Sequence, residues 1–217
     1  TDDIVKEQEE KRKSELDALQ SQINPHFLFN TLQSIQFEIR QKEGNDSKIA
    51  EITEELSDIL KYALGDPKQQ VSLSEEIQYL KRYVNIQKMR FGDKFILYYE
   101  IEENLKEHHV FRLLLQPIVE NSILHGVRYR EHGYIKIKIY QSKQIQKIIV
   151  AVIDSGIGMT KEELMAQRKT ISRYNPNHVG LANVNCRLKL YYGEEAQLHI
   201  YSKKDMGTVV KFYLPLS

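Results

Sequence analysis

Apolar residues in the first third of the chain recur three and four apart and never alternate. Leu16, Leu19 and Ile23 form one run, and Leu28, Leu32, Ile35 and Ile39 another, with a jump across Asn24-Pro25-His26-Phe27 between them. Beyond a break at Gly44-Asn45-Asp46, the residues Ile49, Ile52, Leu56, Ile59 and Ala63 take up the same spacing. This is the period of an amphipathic helix, so the segment predicts two helices joined by a short turn. A two-helix hairpin cannot enclose its own apolar stripe. Pairing with a second copy into a dimeric four-helix bundle is the simplest remedy, and packing against the rest of the same chain is the alternative. Ahead of the hairpin, Lys6 to Asp17 carries both signs of charge without Gly or Pro, which suits an exposed helix.

The texture changes after Gly65-Asp66-Pro67, a strong breaker. Ser72 and Glu75 have capping-box spacing, and Leu73, Ile77, Leu80 and Val84 give a third helical stripe. From Phe95 the pattern is that of strands. Phe95, Leu97, Tyr99 and Ile101 alternate, as do Ile135, Ile137 and Ile139, while Lys147 to Ile153 and Val209 to Leu214 are near-continuous apolar runs. Helical segments are predicted over Val110 to about Val127 and Leu181 to about Tyr192. The fold class is therefore α+β: an N-terminal helical hairpin over residues 1–68, then a sandwich of helices on a mixed, mostly antiparallel sheet over residues 69–217.

Composition narrows the function classes. The 31 basic and 30 acidic side chains leave a net charge of +1, and no basic cluster compensates locally, so nucleic acid is not an expected partner. A single cysteine, Cys186, cannot form an internal disulfide, which fits a reducing compartment. No apolar run is long enough to span a bilayer.

Four segments carry candidate chemistry. In Gln20-Ser21-Gln22-Ile23-Asn24-Pro25-His26-Phe27-Leu28-Phe29-Asn30, the proline sits inside a helical pattern, where it removes a donor and costs about 3 kcal/mol. His26 and Asn30, four apart, share a helical face. An exposed imidazole is mostly neutral at pH 7 and offers a nucleophilic nitrogen; a surface histidine beside an incidental kink has the same signature. In Gln116-Pro117-Ile118-Val119-Glu120-Asn121-Ser122-Ile123-Leu124-His125-Gly126, the polar residues lie near a helix end. A carboxamide oxygen there suits Mg²⁺, with Glu120 beside it to take a proton, although an ordinary polar helix terminus reads alike. Asp154-Ser155-Gly156-Ile157-Gly158 leaves a buried strand. Its carboxylate can accept from an exocyclic amine and its glycines admit a flat ring, or the motif is simply a tight turn. Gly180-Leu181-Ala182-Asn183-Val184 opens a helix whose free N–H groups can meet phosphate. The polar stretch between Gly158 and Gly180 has the length of a lid or of a surface insertion.

In this order and spacing the segments resemble the sensor histidine kinases of the LytS/YesM type, from bacterial two-component signalling. The resemblance covers essentially the whole chain: the Asn-Pro-His-Phe run, an N box from Gln116 to Gly126, a G1 box at Asp154-x-Gly156-x-Gly158, a G2 region from Gly180 to Leu188, and a closing Gly207-Thr208. It implies a dimerisation and phosphoacceptor hairpin followed by a Bergerat (GHKL-type) ATP-binding sandwich. It further implies ATP and Mg²⁺ as cofactors, phosphorylation of His26, and Asn121 as the metal ligand. Asp154 would read adenine, and His125, Gly156, Gly158, Gly180, Leu181 and Thr208 would line the nucleotide site. Glu120 is the expected proton acceptor or orienter, and Asn30 the residue that fixes the tautomer of His26. The implied partners are a second copy of the chain, the receiver domain of a response regulator, and an upstream membrane-embedded sensor region that would hold this portion at the cytoplasmic face of the membrane. Relatives generally carry Gly where His178 stands. Leu124 stands where the wider superfamily often has a phosphate-contacting Lys, so Arg128 or Arg130 is expected to replace it. A GHKL-type ATPase resembling gyrase or a chaperone, and a non-catalytic dimeric scaffold, are the alternatives; neither needs a reactive His26.

Overall fold

The computed structural model describes residues 25–44, 47–66, 69–92, 94–172 and 180–216, with side chains from residue 31 onward. The charged helix expected over Lys6–Asp17, the first apolar run, the segment before Pro25 across which the bend is expected, and the position of His178 fall outside these residues. The chain divides into two compact units, Thr1–Gly65 and Asp66–Ser217.

The first unit is a helical hairpin of α1 (Pro25–Glu43) and α2 (Lys48–Ala63). Gly44 ends α1 in the left-handed region at φ +89°, and its N–H closes on the Arg40 carbonyl at 3.0 Å. Ser47 then caps α2 by accepting from the Ala50 N–H. Across the hairpin, Glu54 accepts from Arg40 at 2.8 Å and from Gln36 at 3.1 Å. Ile35, Phe37, Ile49 and Leu56 stay exposed, so the apolar stripe is wider than the hairpin covers.

The second unit opens with β1 (Gln70–Ser72) and α3 (Leu73–Phe91), whose start is the expected capping box between Ser72 and Glu75. There follow β2 (Phe95–Ile101), β3 (His109–Phe111), α4 (Gln116–His125), β4 (Gly133–Ser142) and β5 (Lys147–Asp154). The last elements are α5 (Lys161–Ser172), α6 (Leu181–Tyr192), β6 (His199–Lys203) and β7 (Gly207–Leu214). The main sheet has the order β2-β4-β5-β7-β6, parallel between β2 and β4 and antiparallel elsewhere, and β1 pairs with β3 in a small second sheet. Along β4, Ile135, Ile137 and Ile139 are buried while Tyr134 on the opposite face is exposed, the alternation of a sheet covered on one side. Among the described residues no helix is long and apolar enough to cross a membrane.

Three elements differ from the sequence reading. The helix expected from Val110 begins only at Gln116, because His109–Phe111 pairs with β1 and Leu113 turns the chain at φ +58°. A helix, α5, occupies the first half of the polar stretch after Gly158; Thr160 and Glu163 cap it reciprocally, at 2.8 and 3.2 Å. The edge strand β6 has too few buried positions, Ile200 chief among them, to show an apolar period.

Candidate functional site

Helix α4 supplies two stripes of different character. Ile118, Val119, Ser122 and Ile123 are buried beneath it, which turns Gln116, Glu120 and Leu124, and beside them Asn121 and His125, towards a cleft. Pro117 stands in the first turn, where its missing N–H costs nothing. A cavity of about 510 Å³ lies between this face, α5 and the start of α6, where Gly180 and Leu181 close it. A second cavity, about 280 Å³, continues from it and is lined by Asp154, Gly158 and Thr208. Asn121, His125 and Gln167 line both, so the two form one elongated cleft with Asn121 at the seam.

Asp154 ends the buried strand β5 and is 3% exposed. Its Oδ1 accepts from the Gly156 N–H at 2.9 Å and from the Thr208 N–H at 3.2 Å, which leaves Oδ2 without a backbone donor. Burial lifts the carboxyl above the usual carboxylate range, against the pull of the Gly156 N–H, the Ser122 hydroxyl and the Thr208 N–H. The Thr208 hydroxyl lies 3.0 Å from the Ser202 hydroxyl, which donates to the Gly207 carbonyl.

The glycines of this turn act differently from the expectation. A Cβ on Gly156 would stand 2.4 Å from the Gly126 Cα, so this glycine seats the turn on the end of α4; it lines neither cavity. Gly158, at φ +61°, would place a Cβ 1.9 Å from the Lys203 carbonyl oxygen, and it does border the smaller cavity. Close backbone packing, rather than room for a ring, is what both positions require.

The cations also differ. Arg130 is engaged by the Gly156 carbonyl at 3.2 Å and by the Asp205 carbonyl at 2.9 Å, and Arg128 lies over the Tyr129 ring. Neither lines the cleft, whereas Arg187 borders the larger cavity and Lys204 the smaller. Arg187 is held over the Phe111 ring at 4.1 Å and donates to the Arg112 carbonyl at 2.8 Å. Sequence reasoning missed Gln167 and Lys204 as cleft residues; the Thr160-x-x-Glu163 spacing marks the helix that carries Gln167. Buried Asn185 ties that helix down, donating to the Ile171 carbonyl at 3.1 Å and accepting from the Leu198 N–H at 2.7 Å.

Glu120, Asn121, His125, Asp154, Gly158, Gly180, Leu181 and Thr208 thus border one cleft. His26 and Asn30 fall in the first turns of α1, in the other unit, and their side chains are outside the described residues. Among the described residues no cluster of three or more His, Cys, Asp or Glu exists that could cage a metal ion. A lone carboxamide such as Asn121 fits an ion that keeps waters and binds through substrate phosphates, as Mg²⁺ does, and fits a fully protein-ligated metal poorly.

Residues 14–95 match the histidine kinase family, and residues 110–217 match the histidine kinase-, DNA gyrase B-, and HSP90-like ATPases. Over 209 residues the chain is 35% identical to Sensor protein kinase HptS of Staphylococcus aureus, in strain bovine RF122 / ET3-1 and equally in strain USA300. That similarity takes in 95% of this chain and 39% of each relative, so the chain spans about two fifths of the curated relatives it matches. Its fold is similar to the solved catalytic domain of histidine kinase ThkA, with a TM-score of 0.51 at 18% identity, over 68% of this chain and 95% of that one. With the hairpin ahead of the sandwich, the motifs bordering one cleft and both family matches in the same order, the chain belongs to the sensor histidine kinases, of the LytS/YesM type.

Proposed function

We propose that this chain is the kinase portion of a two-component sensor: it binds Mg·ATP in the cleft of residues 69–217 and phosphorylates His26. The observation that carries the reading is the shared cleft, in which an acceptor for an amine (Asp154), a neutral metal ligand (Asn121) and a helix N-terminus (Gly180–Leu181) border adjoining cavities. Asp154 Oδ2 accepts from the exocyclic amine of adenine, and the phosphates run past Asn121 towards Arg187 and the first N–H groups of α6. Bound at Asn121, Mg²⁺ supplies charge neutralisation on the phosphate oxygens. A neutral ring nitrogen of His26 forms a bond to the γ-phosphorus as the bond from that phosphorus to the bridging oxygen breaks and ADP leaves. The remaining ring proton passes to an acceptor, for which Glu120 is the candidate, and Asn30 fixes the ring tautomer. Phosphoryl transfer has a loose transition state, so positioning and charge do most of the catalysis. The phosphoryl group then moves to an Asp of a response-regulator receiver domain. The exposed stripe of the hairpin supports a homodimer, and the likeness to sensor protein kinases, of which this chain spans about two fifths, supports attachment to a sensor region at the cytoplasmic face of a membrane.

Incubation with γ-labelled ATP and Mg²⁺ followed by peptide mapping tests this. Acid-labile, base-stable label on the peptide containing His26 is expected, whereas ATP hydrolysis with no protein-bound label would point to the gyrase- or chaperone-like alternative.

Acidity tests the nucleotide pole separately. Two backbone donors occupy Asp154 Oδ1, so a proton on this carboxyl goes to Oδ2 and puts a hydroxyl where the amine needs an acceptor; burial raises the pKa of that group. Affinity for ATP is therefore expected to begin falling at a higher pH than an ordinary carboxylate would give, by about tenfold per unit once below the raised pKa. In Asp154→Asn the Oδ1 must still take the two backbone donors, which turns an NH₂ group towards the amine. Affinity should drop by roughly 10- to 100-fold, from the loss of a charged hydrogen bond, and this limb of the pH profile should vanish. Titrations of both chains by calorimetry between pH 5 and 8 decide it; parallel pH profiles would remove Asp154 from adenine recognition. The folding linkage has its own sign. The folded pKa lies above the unfolded one, so this ionised group costs stability at neutral pH, and the cost disappears as pH falls through the folded value.

A further inference from the structure

Resting on the kinase reading above and deepening it, we infer that Tyr83 is a positioning residue that holds the Glu120 carboxylate in the cleft. Helix α3 turns a stripe of three polar side chains, Glu76, Tyr79 and Tyr83, towards the segment that carries α4. Each engages that segment about one turn further along. Glu76 is wholly buried, and its two oxygens accept from the backbone N–H groups of Leu113, at 3.1 Å, and Leu115, at 2.9 Å. This pins the turn in which Leu113 adopts φ +58°, a conformation that costs an L residue about 1–2 kcal/mol. Tyr79 donates to Gln116 Oε1 at 2.9 Å. Tyr83, 8% exposed, lies one turn beyond Tyr79 on α3, as Glu120 lies one turn beyond Gln116 on α4, so the register of the Tyr79–Gln116 bond sets the Tyr83 hydroxyl beside Glu120. Gln116 and Glu120 are themselves one turn apart on α4, so the helices match turn for turn.

A buried phenol needs a partner for its O–H, and a carboxylate is the strongest acceptor within its reach. Burial and the neighbouring Glu120 charge push the Tyr83 pKa upward, so the hydroxyl remains a donor throughout the physiological range. A free glutamate at a cleft wall samples many rotamers, and fixing one of its oxygens restricts the other to the cavity beside Asn121. None of the three α3 residues belongs to the family motifs that border the cleft, and Tyr83 itself lines neither cavity. Its effect on the reaction passes through Glu120.

The test uses the full chain with 3-fluorotyrosine in place of tyrosine, the position-83 signal being assigned by its loss in Tyr83→Phe. In the ¹⁹F spectrum Glu120→Gln should move that signal; an unmoved signal overturns the inference whatever the kinetics. In autophosphorylation assays Tyr83→Phe, which keeps the apolar ring, should slow the maximal rate about tenfold with the KM for ATP unchanged within twofold. A small loss of positioning is enough for an effect of that size. In a Glu120→Gln background the same substitution should change the rate no further. A multiplicative loss in that background, or a rise in KM without a fall in maximal rate, overturns the positioning role. A wild-type chain that takes up no phosphate while the ¹⁹F signal moves overturns the kinase reading and leaves the Tyr83–Glu120 contact standing.

Discussion

A His26→Gln chain is expected to bind Mg·ATP within twofold of the parent and to take up no phosphate above background. Glutamine keeps much of the polarity and reach of histidine, but its amide nitrogen is delocalised into the carbonyl and is not a nucleophile. Imidazole, with an ordinary pKa of about 6.5, is largely neutral at pH 7 and presents a free lone pair. Position 26 and the nucleotide cleft fall in different units of the chain, so the substitution removes the acceptor without touching Asp154, Asn121 or α6. Filter-binding of γ-label and calorimetric titration, run on the same preparation, measure the two quantities. Label that persists in His26→Gln would move the acceptor elsewhere, and a parallel loss of ATP binding would mean that the change acts through folding. Mixing His26→Gln with Asp154→Asn tests the proposed homodimer. Label that reappears on the Asp154→Asn chain requires transfer between copies; continued absence places acceptor and nucleotide within one copy.

The sandwich was legible because its strands repeat apolar residues at the right period. Ile135, Ile137 and Ile139 are wholly buried, and Lys147–Asp154 reads as a core strand because it lies between β4 and β7. The capping box at Ser72 and Glu75 was legible too, since both halves of a local hydrogen-bonded pair stand three residues apart. Non-local closure was not. The late start of α4 depends on Glu76, 37 residues before Leu113, accepting from that residue's N–H, and no window of local sequence contains both. The cleft's cations were misassigned for the same reason. Arg130 follows the N box directly, yet it is drawn off by the carbonyls of Gly156 and Asp205, whereas Arg187 borders the cleft from α6. The stripe Glu76-Tyr79-Tyr83 was hidden by its chemistry: an apolar periodicity shows Leu73, Ile77, Leu80 and Val84, and passes over polar groups buried for their hydrogen bonds.

Gly207→Ala is expected to be strongly destabilising for a single added methyl. Gly207 has φ +93°, where an L side chain is disfavoured by about 1–2 kcal/mol, and its Cβ would lie 1.9 Å from the Asp154 carbonyl oxygen. That atom is backbone of the central strand, so no rotamer relieves the clash. Either β7 shifts against β5 or the turn after Asp154 opens, and overpacking of this kind adds about 1–3 kcal/mol. Gly193 separates the two contributions. Its φ is +88°, and a Cβ there would meet nothing within 4 Å, so Gly193→Ala carries the conformational penalty alone. At about 2–4 °C per kcal/mol for a unit of this size, Gly207→Ala should lower Tm by roughly 5–20 °C and Gly193→Ala by less than half as much. Because the displaced backbone carries the Asp154 carboxylate and the Thr208 N–H that holds it, ATP affinity should fall in Gly207→Ala and stay unchanged in Gly193→Ala. Differential scanning calorimetry of the full chain, with and without Mg·ATP, measures both effects. Equal Tm losses in the two variants would mean that the contact of Gly207 with Asp154 does not constrain the turn, and that the glycine serves only its own backbone angle.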